Sequence, residues 1–133
     1  MSVGIVASSL FTALSTPLKP AKALPATSQV SLVENLKAYA KARYKADEIQ
    51  TSCLNTLWTM ESHWNYKAKG GKTSQGHAYG IPQALPASKM KVSGADYMSN
   101  PLTQIEWGIK YLRERYSGKA CYALKHELNK GWY

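Results

Sequence analysis

Residues 49–64 read Ile49-Gln50-Thr51-Ser52-Cys53-Leu54-Asn55-Thr56-Leu57-Trp58-Thr59-Met60-Glu61-Ser62-His63-Trp64. No Pro or Gly interrupts them, and Asp47 and Glu48 stand just upstream, where carboxylates favour a helix start. Leu54, Leu57 and Trp58 fall at i, i+3 and i+4 and share one helical face. The next member of the series, i+7, should be apolar and is Glu61. Two readings are open. In one, the helix frays here and Glu61 is merely solvated, as most charged residues near helix ends are. In the other, the carboxyl closes an apolar stripe, where desolvation disfavours its charged form and raises its pKa. That is the state a general acid needs near neutral pH.

Working outward, Ser31-Leu32-Val33-Glu34 has the spacing of a capping box and opens a helix to Tyr44, with Leu32, Leu36, Tyr39 and Ala40 facing inward. Residues 66–80 are basic and carry glycines at 70, 71, 76 and 80, which excludes a long helix. They suit a mobile loop or a short β-hairpin, either plainly solvated or serving as a wall of a substrate cleft. Ile81-Pro82-Gln83-Ala84-Leu85-Pro86 follows, apolar apart from one amide. Gln83 is either a satisfied turn residue or a group pointing into a site. Asn100-Pro101 marks another helix start, an N-cap followed by Pro in the first turn. That helix runs to Tyr116 with Ile105, Ile109, Leu112 and Tyr116 as its core stripe. Gly108 in its middle costs stability, which implies that another backbone approaches there. Trp107 and Tyr111, four apart, form a second aromatic face, either core or turned to a site. A last helix spans Ala120 to Leu128 with Cys121, Leu124 and Leu128 in line, and Gly131 can end it.

The chain has 133 residues, of which 44% are hydrophobic, enough for one domain with one core. Seventeen Lys and Arg stand against eight Asp and Glu, a net charge of +9 that favours polyanionic surroundings. Residues 1–23 differ in character: Val3 to Leu14 is mostly small and apolar, and Ala21-Lys22-Ala23 has the small residues expected before a signal-peptidase cut. The segment lacks the Lys or Arg that normally begins an export signal, and its apolar run of about 12 residues is too short to span a bilayer. The organisation expected is a signal peptide over 1–23, a linker over 24–30 and one domain over 31–133. Two cysteines, Cys53 and Cys121, suit a bridge in an oxidising compartment, worth about 4 kcal/mol by loop entropy. Two small buried hydrophobes is the other reading. With three scattered histidines they make no metal-ligand spacing, and no cofactor is expected.

Three blocks in order, Leu57-Trp58-x-x-Glu61-Ser62-x-Trp64-Asn65, Ala78-Tyr79-Gly80-Ile81-Pro82-Gln83-Ala84-Leu85-Pro86 and Asn100-Pro101-x-x-Gln104-Ile105-x-x-Gly108-x-x-Tyr111-Leu112, resemble the lytic transglycosylase domain of the soluble (SLT) type, within the lysozyme-like superfamily. The resemblance covers residues 50 to 133 and is nearest to small secreted bacterial versions. It implies a mainly α, lysozyme-like fold (SLT or goose-type-like) with a glycan cleft and at most a small β-hairpin. It maps the family's single catalytic glutamate onto Glu61, with Ser62 completing its Glu-Ser pair. Gly80 and Gln83 match the ends of the Gly-Leu-Met-Gln block that lines the family's cleft, and Tyr111 matches the tyrosine of the third motif. It also supports a Cys53–Cys121 bridge. Ile81-Pro82 in place of Leu-Met, Gln104 where many members have Asn, and His63 in place of a common Gly mark a subfamily.

The activity implied is cleavage of peptidoglycan between N-acetylmuramic acid and N-acetylglucosamine, with Glu61 as acid and then base and a 1,6-anhydro product. Gln83 and Tyr111 would position the sugar or the acid, and Trp64 and Tyr79 would either stack on sugar rings or pack in the core. Most glycosidases need two carboxylates. No obvious second one is present. Of the remaining acids, Glu34, Asp47, Glu48, Asp96, Glu106, Glu114 and Glu127, most read as helix starts or polar faces, with Asp96, in a loop, the best of them by exclusion. The lack of a partner is compatible with the transglycosylase route the resemblance implies. The expected partners are peptidoglycan strands and anionic wall polymers, met by a secreted monomer without a transmembrane segment. A hydrolytic lysozyme and a non-catalytic wall-binding module are the competing readings. A nucleic-acid binder lacks the Lys/Arg cluster on one helix that base reading needs.

Overall fold

Asp47 starts the helix that carries Glu61. In the computed structural model, which describes residues 26–133, its carboxylate accepts a hydrogen bond from the Gln50 amide at 2.8 Å. In chain order, α1 (Ala26–Tyr44) and α2 (Glu48–Ser62) precede a hairpin of β1 (Lys69–Thr73) and β2 (Gly76–Tyr79). A 3-10 helix (Ala87–Ser93), α3 (Pro101–Tyr116) and α4 (Ala120–Lys130) follow. The expected export segment over 1–23 lies outside the described residues. Among the described residues, no helix is long and apolar enough to cross a membrane.

The stripe of α2 is the centre of the core. Leu54, Leu57 and Trp58 are fully buried, against Leu36, Ala40 and Tyr44 of α1, Ile105, Ile109 and Leu112 of α3, and Ala120 and Ala123 of α4. Cys53 and Cys121 are joined with their Cα atoms 5.0 Å apart, tying α2 to α4. The Gln50 side chain adds to that tie by accepting from the Cys121 amide at 3.0 Å. The α3 helix starts as its sequence requires, with the Asn100 side chain accepting from the Leu102 amide and Pro101 in the first turn. It ends at Ser117 in a left-handed cap, and α4 ends at Gly131 in another.

Three expectations are corrected. Helix α1 begins at Ala26 rather than at Ser31, because residues 26–30 hold no Pro or Gly and continue the helix backwards. The Ser31 hydroxyl accordingly bonds back to the Ser28 carbonyl at 3.1 Å instead of capping a helix start. Gly108 makes room for a ring and not for a backbone: a Cβ there would lie 2.4 Å from Cζ2 of Trp58. The buried face of α4 is Ala120 and Ala123, while Leu128 is 65% exposed and Leu124 only partly covered.

The expected hairpin forms within the glycine-rich stretch. Its strands pair antiparallel, with Lys72 opposite His77 and Thr73 opposite Gly76, and an irregularity separates Lys69 from Lys72. The turn is closed by Thr73, whose hydroxyl donates to the Gly76 carbonyl at 2.8 Å.

Candidate active site

Helix α2 stops abruptly after Ser62. His63 and Trp64 both take left-handed backbone conformations, with φ of 53° and 60°, and the His63 amide closes the helix on the Thr59 carbonyl. Non-glycine residues adopt that conformation at a cost. Trp64 meets it by burying its ring edge-on against Trp58, 5.2 Å between centroids. The chain thus turns away one residue beyond the carboxyl, and Glu61 is left at the helix tip facing a cavity of about 750 Å³.

The cavity has four walls. Pro82, Gln83, Ala84 and Leu85 line one side, and Lys72, Thr73 and Ala78 of the hairpin another. Trp107, Tyr111 and Arg115 of α3 face them, and Gly131, Trp132 and Tyr133 of the C-terminal tail complete the enclosure, with Lys89 at the rim. Trp107 and Tyr111 stack at 5.2 Å with 21° between planes, which realises the second aromatic face of α3. The glycine-rich stretch is therefore a wall of this cavity.

The turn that carries Gln83 is held from three directions. The Tyr79 and Ala84 backbones exchange hydrogen bonds at 3.1 Å each. The Ser62 hydroxyl donates to the Ile81 carbonyl at 2.8 Å, pinning the turn to the last residue of α2. Gln104, fully buried, accepts from the Ile81 amide and donates to the Tyr66 and Tyr97 carbonyls, each at 2.9 Å. Gly80 is glycine for two reasons: its φ is +77°, and a Cβ would sit 2.4 Å from Oε1 of Gln104. Gln83 itself is left-handed at φ 53°, and its amide donates to the Ala68 and Gly80 carbonyls while the residue lines the cavity. It is both the satisfied turn residue and the inward-facing one.

Of the residues expected at the site, the structure brings Glu61, Gln83 and Tyr111 to the cavity wall. Ser62 and Gly80 act one step behind it, through the turn. Trp64 and Tyr79 belong to the core: they are 2% and 7% exposed, and the Tyr79 hydroxyl donates to the Met98 carbonyl. Of the two uses open to these rings, packing is the one their burial permits. Asp96 is no second carboxylate of this site, because it accepts from Asn100 Nδ2 and Thr103 Oγ1 and holds the start of α3.

Two unexpected residues are present. Glu127 of α4 comes within hydrogen-bonding reach of Glu61, and its Oε2 is buried without an N–H or O–H donor. Burial first, and the Glu127 carboxyl second, push the pKa of Glu61 up from 4.5 to about 8. The second residue is Tyr133. Its hydroxyl accepts from Trp58 Nε1 at 3.0 Å and donates to the Pro82 carbonyl at 2.9 Å, and its own carbonyl accepts from the Tyr111 hydroxyl at 3.0 Å. Burial, with the charge of Glu61 next, raises the Tyr133 pKa well above its ordinary value, so the phenol stays protonated. Among the described residues, no group of three His, Cys, Asp or Glu is gathered that would hold a metal ion.

A signal for Glu127 existed in the sequence. Ala120, Ala123 and Glu127 stand at i, i+3 and i+7, the same series that ends in Glu61 on α2. Compared with known proteins, residues 38–122 match the model of the transglycosylase SLT domain. No curated protein and no solved structure matches the chain.

Proposed function

The chain belongs to the transglycosylase SLT domain family, and from that premise we propose that it is a lytic transglycosylase in which Glu61 cuts peptidoglycan between N-acetylmuramic acid and N-acetylglucosamine. One observation carries the assignment of Glu61: a carboxyl whose pKa is pushed up to about 8 opens on a cavity large enough for sugar rings. It is protonated at neutral pH and can donate.

The proposed cycle uses no water. Protonated Glu61 gives its proton to the glycosidic oxygen as the bond from C1 of the muramic residue to that oxygen breaks. The glutamate, now ionised, takes the proton of the muramic 6-hydroxyl, whose oxygen closes on C1. The product is a 1,6-anhydro sugar, and Glu61 regains its starting state. A second carboxylate working across the sugar would need to stand ≈ 5–9.5 Å from the first, to leave room for a sugar carbon or a water. Glu127 is instead in hydrogen-bonding reach of Glu61 and is not part of the cavity wall, which favours the route with one acid over a hydrolytic one.

Substrate recognition follows from the walls. Trp132 is 53% exposed at the cavity and presents a ring for a sugar, with the Arg115 guanidinium 5.4 Å from its centroid. Gln83 and Tyr111 hold the position beside the acid, and Ser62 and Gly80 fix the turn that carries Gln83. Lys72, Lys89 and Arg115 make the cavity cationic, as suits strands bearing carboxylate peptides and anionic wall polymers. The Cys53–Cys121 bridge fits a secreted protein working at the wall as a monomer.

Mass spectrometry of products released from purified peptidoglycan tests this reading. Anhydro-muramic ends are expected from the wild type, and none from Glu61→Gln. Reducing ends would make the protein a hydrolytic lysozyme. Lysis unchanged in Glu61→Gln would make it a wall-binding module and remove the assignment altogether.

A further inference from the structure

Glu127 lies on α4, beyond the segment 38–122 that the family match covers, so membership assigns it no role. Its placement is built from both ends of a helix pair. Near their starts, α2 and α4 are locked by the Cys53–Cys121 bridge and by the Gln50 side chain on the Cys121 amide. Further along, the apolar series of each helix ends in a carboxyl, and the two carboxyls meet. Among the described residues, the acids in ion pairs are Glu34, Glu48, Glu106 and Glu114, and no cation pairs with Glu61 or Glu127. Glu127 Oε2 is buried and receives no donor from an N–H or a hydroxyl. The Tyr133 phenol does not supply one, since its hydroxyl already donates to the Pro82 carbonyl.

A buried carboxylate oxygen without a donor, beside a second carboxyl and no cation, has one economical solution. Two carboxylates in contact in a partly dry site do not both ionise. One proton between them gives an O–H···O⁻ bond, among the stronger hydrogen bonds available to side chains. We propose that Glu127 is a positioning residue that shares the proton of Glu61 and makes Glu61 a stronger base once that proton has been given away. The inference rests on Glu61 being the acid of the reaction proposed above.

The proton count closes. The pair enters the cycle with one proton and a charge of −1. When Glu61 protonates the glycosidic oxygen, both carboxyls are ionised and repel each other. That repulsion is relieved when the muramic 6-hydroxyl proton arrives on Glu61. The pair ends with one proton again, the C1–oxygen bond to the leaving sugar has been replaced by the C1–O6 bond, and the 6-hydroxyl proton has in effect moved to the leaving sugar. Other titratable or charged groups line the same cavity: Tyr133 of the tail, which feels the charge of Glu61, Tyr111 and Arg115 of α3, Lys72 of β1 and Lys89 of the 3-10 helix. The phenols of Tyr111 and Tyr133 are held protonated by burial. The three cations stand in the cavity wall, and none forms an ion pair with Glu127.

Carboxyl-carbon NMR titration of the full, disulfide-intact chain tests the sharing without substrate, alongside kcat/KM on purified peptidoglycan as a function of pH. In the wild type the Glu61 and Glu127 signals are expected to titrate together in two separated steps. In Glu127→Gln the amide donates to the Glu61 carboxylate. Its titration then becomes a single step at least one pH unit lower, and the alkaline limb of kcat/KM moves by the same amount. For a shift of one unit from about 8, activity is expected to fall about threefold at pH 7.5 and to approach a loss of about tenfold well above pH 8, and Glu127→Asp to recover part of it. Independent single-step titrations in the wild type, or a limb unmoved in Glu127→Gln, would overturn the proposal. If Glu127→Gln does not fold, the wild-type titration decides alone. A wild type that leaves glycan intact yet titrates as a pair would sink the functional reading while upholding the shared proton.

Discussion

A carboxyl whose pKa rises from 4.5 to about 8 on folding holds its proton more tightly in the folded chain than in the unfolded one. The folded state therefore binds more protons between those two values, and stability falls as pH climbs through that window before levelling above 8. Glu61→Gln keeps the shape and removes the titration. Its Tm is expected to exceed the wild-type value at pH 8, and the gap should close as pH drops below 4.5, read by calorimetry at a series of pH values. A wild-type Tm indifferent to pH across that range would contradict the burial of a neutral acid. At this scale the sequence was informative where a polar residue broke an apolar series. Glu61 stood out because Leu54, Leu57 and Trp58 are large. Glu127 follows the same rule behind Ala120, Ala123 and the partly buried Leu124, but small residues make a faint stripe, and the exposed Leu128 competes with Glu127 for the end of the series. Trp64 and Tyr79 were ambiguous for a different reason: an aromatic ring serves a core and a sugar equally well until its burial is known.

Among the elements, α4 packs most extensively on the acid-bearing helix, while α3 and the tail seat its Trp58. Trp58 fills the notch at Gly108, and a Cβ there would press its ring at 2.4 Å and Pro82 Cβ at 3.3 Å. Gly108→Ala is expected to destabilise the domain by about 1–3 kcal/mol, the usual range for overpacking a filled site, and urea denaturation would measure it. Tyr133→Phe tests the tail. It removes both the acceptor for Trp58 Nε1 and the donor for the Pro82 carbonyl, a loss of about 1–3 kcal/mol for groups left unsatisfied. The Trp58 indole proton should shift in the same NMR spectrum that reports folding. A variant as stable as the wild type would mean that the tail is an ornament on the cavity. Periodicity and caps placed α2, α3 and α4 well, because Asp47, Asn100-Pro101 and Gly131 are local signals acting on neighbouring backbone. The start of α1 at Ala26 is not legible, since Ser31 and Glu34 have the spacing of a cap although they stand inside the helix. The notch at Gly108 shows in the sequence only as a need for space, which a backbone or a ring could fill, and here the Trp58 ring fills it.

For the molecule as a whole, the Cys53–Cys121 bridge spans 68 residues, most of the described domain. Cys53→Ser with Cys121→Ser is expected to lose about 4 kcal/mol by the loop-entropy relation, measured as a drop in denaturation midpoint against the oxidised chain. The hairpin and the turn over Pro82–Leu85 were visible as a change of composition, but their closure into one cavity with α3 and the tail was not. Contacts between segments many residues apart are set by packing and leave no periodic trace. The same crosslink lies on the very helix pair whose far ends bring Glu61 and Glu127 together. In reducing surroundings that clasp is absent, and only the Gln50 contact and the shared apolar core keep the two far ends in register.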